Sequence, residues 1–126
     1  MEKRQTEIKN LRKNGFVLID DVPCRVDDVS VSRPGKHGGA KARLTATGVF
    51  DNQKRTIVKP GDARIDVPVI EKRPAQVLAI IGNNIQLMDL QDFSNFEIKK
   101  PDFDVKEGDE ILIWRYGNNV QIMGKK

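Results

Sequence analysis

The residues best placed to do chemistry are Lys36 and His37, in the stretch Ser32-Arg33-Pro34-Gly35-Lys36-His37-Gly38-Gly39-Ala40-Lys41-Ala42. Three glycines and a proline suit neither a helix nor a strand interior, but they do suit a shaped turn. Arg33-Pro34-Gly35-Lys36 reads as a type II turn, with Pro second and Gly third, where φ must be positive. Lys36 then stands where the chain leaves the turn, and Gly38-Gly39 lets the backbone fold back. The expected product is a rigid basic loop that presents one amine.

Other chemistries fit the residues poorly. Cys24 and His37 form a conceivable nucleophile pair, but Cys24 lies in a strand-like run and reads as a small buried hydrophobe. One cysteine and one histidine cannot supply a tetrahedral zinc site, so no metal is expected. Asp20-Asp21 and Asp27-Asp28 are adjacent pairs, and neighbours on a strand point to opposite faces, so neither is a natural carboxylate dyad. Gly35-Lys36-His37-Gly38 lacks the spacing of a nucleotide phosphate loop, and no helix-forming sequence follows it. RNA cleavage by the loop would lack a partner acid or base for the single histidine, beyond Lys36 or Lys41. The chain is not expected to be an enzyme and needs no bound cofactor.

Charge points instead to nucleic acid. Residues 1–70 hold 14 Lys/Arg against 9 Asp/Glu, while residues 71–126 hold 8 against 9, so the positive charge sits in the first half. No acidic residue lies between Asp28 and Asp51, where Arg33, Lys36, Lys41 and Arg43 all fall. Such a field attracts phosphate backbones, and Arg33, Lys41 and Arg43 are the candidate RNA contacts. Among the aromatics, Phe16, Phe50 and Trp114 read as core. Phe93, Phe96, Phe103 and Tyr116 leave room for one exposed stacking residue that the sequence does not single out.

These residues must be positioned by strands. Nearly every apolar stretch is short, rich in β-branched residues and bounded by turn formers, which predicts an all-β protein. Strands are expected at Phe16–Ile19, Cys24–Val31, Arg43–Phe50, Lys54–Val58 and Ile65–Ile70. In the second half they are expected at Val77–Ile81, Ile85–Asp89, Phe93–Ile98, Ile111–Tyr116 and Val120–Met123. Gly82-Asn83-Asn84 and Gly117-Asn118-Asn119 are hairpin signals, and Lys99–Gly108 is a polar connection with room for one helical turn. The change of charge near Glu71-Lys72-Arg73-Pro74 suggests two barrels. Residues 1–70 are compatible with an SH3-like barrel carrying the loop at 32–42, and residues 71–126 with an OB-like barrel. The polar N-terminus lacks the apolar run of a signal peptide and no transmembrane run exists, so a cytoplasmic chain with no membrane partner is expected.

The segment Ser32–Arg43 closely resembles the modification loop of the translation initiation factor 5A family in its archaeal form, a family related to bacterial elongation factor P. The likeness extends to Gly15–Cys24 before the loop, then to Gly48-Val49-Phe50-Asp51 and Ile65–Ile70 after it. The resemblance implies an SH3-like first domain and an OB-like second one. It implies that Lys36 is modified by deoxyhypusine synthase, which transfers the aminobutyl group of spermidine in an NAD-dependent reaction, and that hydroxylation to hypusine can follow. Pro34, Gly35, His37, Gly38 and Gly39 would support the modified lysine. The implied partners are the ribosome near its exit site and the P-site tRNA, where the factor promotes peptide-bond formation at stalling sequences such as consecutive prolines. Arg33 stands where lysine is more usual, which keeps the charge, and Gly39 where serine or histidine is common. A rival reading is a general RNA-binding or RNA-chaperone protein that uses the same basic loop unmodified.

Overall fold

In a computed structural model the chain is all-β, and residues 2–33 and 39–125 are described. They fall into two compact units, Met1–Val69 and Ile70–Lys126. The first unit contains strands β1 (Lys3–Glu7), β2 (Phe16–Ile19), β3 (Val22–Ser32), β4 (Lys41–Gly48), β5 (Lys54–Pro60) and β6 (Arg64–Pro68), with a single 3-10 turn at Ile8–Asn10. The second contains β7 (Glu71–Ile81), β8 (Asn84–Asp89), β9 (Asn95–Lys99), β10 (Glu110–Tyr116) and β11 (Asn119–Lys125).

The first unit is a four-stranded antiparallel sheet, β2-β3-β4-β5, accompanied by the two-stranded sheet β1-β6. Strand alternation builds its core. On β4, Ala42, Leu44 and Ala46 are buried while Lys41 and Arg43 are exposed. Val17, Ile19, Cys24, Val26 and Ile65 close on them, and each fully buried aliphatic side chain contributes about 1.5–3 kcal/mol. The β2–β3 turn is made by Asp20 and Asp21, with φ of 51° and 62°. Positive φ at both central residues is the type I′ pattern that matches strand twist, so this aspartate pair is turn chemistry. At the β4–β5 turn, a Cβ on Gly48 would meet Asp51 Oδ1 at 1.8 Å. Glycine there lets Asp51 accept hydrogen bonds from Arg55 at 2.8 and 3.2 Å and hold the hairpin.

The second unit is one antiparallel sheet in the order β11-β10-β7-β8-β9. The order β10-β7-β8-β9 is a Greek key, and with β11 it makes the five-stranded arrangement of an OB-like barrel. Both hairpin signals form two-residue turns, with Gly82 at φ 59° and Gly117 at φ 60°. Its core is aliphatic: Ala75, Val77, Ile85, Leu87, Ile111 and Ile113.

Four expectations change. Strand β1 was not anticipated, because Lys-Arg-Gln-Thr-Glu carries no apolar alternation and forms only by pairing with β6. Glu71–Pro74, where the charge changes, is the start of β7. Pro74 is tolerated because the β7–β8 ladder begins only at Ala75. The strand expected from Phe93 begins at Asn95, since Phe93 has φ 63° and belongs to the turn. No helical turn forms between β9 and β10. Instead, a turn with Gly108 at φ 90° is closed by Asp109, which accepts from the Lys106 N–H at 2.9 Å, while Val105 is buried and Phe103 packs against the core.

Candidate nucleic-acid interface

The β3–β4 hairpin presents the basic loop. Its ladder runs to the pair Ser32–Lys41, so residues 33–40 form the connection. Pro34, Gly35, Lys36, His37 and Gly38 lie outside the described residues. Arg33 leaves β3 exposed, and the returning leg is anchored where the Gly61 N–H donates to the Ala40 carbonyl at 2.8 Å. Gly61 is buried, with Ala40 Cβ only 3.5 Å from where its own Cβ would be.

Register places Lys41 and Arg43 on one face. Arg43 lies between Ser30 of β3 and Val58 of β5, and Lys41 between Ser32 and Pro60. Two residues along a strand is about 7 Å, so the cations form a short row leading from the loop. Arg33, Lys41 and Arg43 enter no ion pair among the described residues. The row continues through Thr45 and Thr56, whose hydroxyls lie 3.4 Å apart. Asp27, the extra residue at the bulge between Val26 and Asp28, accepts from Thr47 Oγ1 at 2.6 Å, while the exposed Asp28 stands opposite Thr45, where the row ends, and forms no ion pair with Lys41 or Arg43. Cations without carboxylate partners, beside hydroxyl donors, can contact phosphate and ribose but do not read bases.

At Gly39, no atom of the described residues stands within 4 Å of where a methyl group would sit.

The remaining candidates sort plainly. Cys24 has no exposed surface and its Sγ donates to the Val22 carbonyl at 3.3 Å. Burial pushes its thiol pKa up, against the opposing pull of Arg55, so it is a poor nucleophile. An open pocket of about 280 Å³ near Gln5, Asp20, Asp21, Lys59, Arg64 and Asp66 mixes carboxylates with cations. No group of three or more metal-ligating side chains occurs among the described residues.

The aromatics correct the sequence reading. Phe16, Phe50 and Trp114, expected as core, are only half-buried, and the Arg25 guanidinium lies 5.9 Å from the Phe16 ring centre. Tyr116 is the buried one. Phe96 lies under the Arg115 guanidinium at 4.8 Å. Phe93 is 67% exposed.

Sequence reasoning missed an ionic cluster in the second unit. Asp89 is fully buried. Its carboxylate accepts from Arg73 at 3.0 Å and Arg115 at 2.8 Å, and from the Gln91 N–H at 2.7 Å. Arg115 also reaches Asp92 at 2.6 Å, and Arg73 also pairs with Glu71. Burial raises the Asp89 pKa, but the Gln91 N–H and the two guanidiniums outweigh it and hold the carboxyl below its ordinary value. No local spacing signals this cluster, because its members come from separate strands.

The chain is a two-unit all-β protein, an SH3-like barrel that carries a basic hairpin followed by an OB-like barrel. Residues 3–63 match the family model described as "Translation initiation factor 5A-like, N-terminal". The chain is 51% identical over 100 residues to translation initiation factor 5A of Archaeoglobus fulgidus, covering 79% of this chain and 78% of that protein. It is 44% identical over 128 residues to that of Thermofilum pendens, covering 98% and 97%. Among solved structures, a eukaryotic-type translation initiation factor 5A from Methanococcus jannaschii superposes with a TM-score of 0.83 at 37% identity, covering 98% of this chain and 95% of that one. The chain belongs to the translation initiation factor 5A family, and its role is that of a translation factor.

Proposed function

We propose that this factor binds the ribosome near the exit site and stabilises P-site tRNA, promoting peptide-bond formation at stalling sequences such as consecutive prolines. The working group is a deoxyhypusine or hypusine at Lys36, made from spermidine by deoxyhypusine synthase. The observation that carries the reading is the pairing of that loop sequence with a hairpin whose face bears Lys41 and Arg43, cations that enter no ion pair among the described residues. The extended side chain would add reach and a second amine, able to contact the phosphates and sugars of a tRNA acceptor end. Arg33, Lys41 and Arg43 would hold the flanking backbone. Pro34, Gly35, Gly38 and Gly39 would shape the loop, and His37 would orient the modified side chain or contact RNA. The factor acts by positioning and leaves the bond chemistry to the ribosome.

Intact mass of protein purified from its native cells is expected to show the added group on Lys36. Lys36→Arg, which keeps the charge and blocks modification, is expected to lose rescue of stalled polyproline synthesis. An unmodified lysine in active native protein, or full rescue by the arginine variant, would favour the rival of an unmodified RNA-binding loop.

A further inference from the structure

The β8–β9 turn holds an apolar ring out in solvent, and it does so at a conformational cost. Phe93 is 67% exposed at φ 63°, a backbone region that disfavours a bulky side chain and suits glycine. Every neighbour enforces it. The Phe93 N–H donates to the Asp89 carbonyl at 2.7 Å, and the Asp89 N–H to the Ser94 carbonyl at 2.8 Å. Asp89 Oδ1 accepts from the Gln91 N–H at 2.7 Å, and Asp92 Oδ1 from the Ser94 N–H at 3.0 Å. The Asp89 carboxylate is in turn pinned by Arg73 and Arg115. A costly backbone conformation that its surroundings over-determine points to a role for the residue it carries.

The charges around the ring say what kind of surface it meets. The two guanidiniums are turned inward, with side chains 15% and 14% exposed, whereas the carboxylates paired with them remain open, Asp92 at 40% and Glu71 at 50%. Three carboxylates, Glu71, Asp89 and Asp92, face two guanidiniums, so the cluster carries a net negative charge whose open side is the carboxylate side, and that side disfavours phosphate. That disfavours a base stacked on Phe93 within an RNA backbone, and matches a basic protein surface.

We infer that Phe93 is a docking knob that inserts into an apolar socket on a basic protein of the ribosome. The inference rests on the ribosomal role proposed above. Exposed aromatics rimmed by complementary charge are the anchors of protein–protein interfaces. The rigid turn means that little order has to be gained on docking.

The test uses full-length, natively modified factor and purified ribosomes. Phe93→Gly relieves the backbone and removes the ring. It is expected to keep or raise the melting temperature while weakening ribosome binding about tenfold or more. Phe93→Trp is expected to bind nearly as the unsubstituted protein does. A photo-reactive benzoylphenylalanine at position 93 is expected to give a nuclease-resistant, protease-sensitive adduct with a ribosomal protein. A nuclease-sensitive adduct, an adduct with a second copy of this chain, unchanged binding by Phe93→Gly, or a lowered melting temperature in that variant would overturn the inference. All four leave the ribosomal role standing. Absence of ribosome binding by the unsubstituted factor would overturn both.

Discussion

Arg115 of β10 donates a 2.8 Å hydrogen bond to Asp89, a fully buried carboxylate at the end of β8 and 26 residues away in sequence. Strand alternation explains the meeting. Ile85, Leu87 and Asp89 share the inner face of β8, Ile111, Ile113 and Arg115 that of β10, and Ala75 and Val77 follow Arg73 on β7. The aliphatic layers fill the barrel, and the charged layer closes one end of it. A buried carboxylate is tolerable there because two guanidiniums and a backbone N–H satisfy it.

Asp89→Ala should therefore destabilise the second unit strongly. It removes the shared partner of two largely covered guanidiniums and the acceptor that shapes the β8–β9 turn. A loss of about 3 kcal/mol is expected, the size seen when one member of a buried ion pair is deleted. Urea unfolding followed by Trp114 fluorescence would measure it, and an unchanged midpoint would show that the cluster is not structural.

Acid should weaken both units by the same route. The Asp51 carboxyl is lowered first by the Arg55 hydrogen bond, that of Asp92 first by the Ser94 N–H, and Asp89 is lowered despite its burial. Their folded pKa values lie below the unfolded value near 3.8. The unfolded chain thus binds protons first as pH falls, so this stabilisation is fully present above about pH 5 and is lost progressively below it. Melting temperatures measured from pH 7 to pH 2 should be level with respect to these groups down to about pH 5 and then drop.

Lys41→Ala and Arg43→Ala should each leave folding nearly unchanged, because both side chains are exposed and enter no ion pair among the described residues. Each should weaken RNA binding and reduce the slope of log affinity against log salt by about one, the signature of a lost phosphate contact. Equal slopes for variant and unsubstituted protein would remove these residues from the interface.

Much of the fold was legible because strands and turns are written locally. Alternation along Lys41–Gly48 separates the buried from the exposed face without any partner. Gly82 and Gly117 mark two hairpins by the φ they alone adopt easily. The charged strand β1 escaped because nothing in its own residues favours extension, and its pairing with β6 supplies the reason. The loop around Lys36 was legible as a motif, from residue types whose order is specific in itself.

The sequence alone determined the all-β class, the two-barrel plan and the lysine on which function is proposed to turn, since each depends on residues within a few positions of one another. Only the tertiary structure decided that Arg73, Asp89 and Arg115 converge, that Tyr116 is buried and that Phe93 stands in solvent. The convergence depends on strand register, which sets Asp89 opposite Ala75, Arg73 opposite Ile113 and Arg115 opposite Glu71. A one-residue slip in register would turn the strand residues Arg73, Asp89 and Arg115 to the other face, whereas Phe93 is placed by the turn that follows β8.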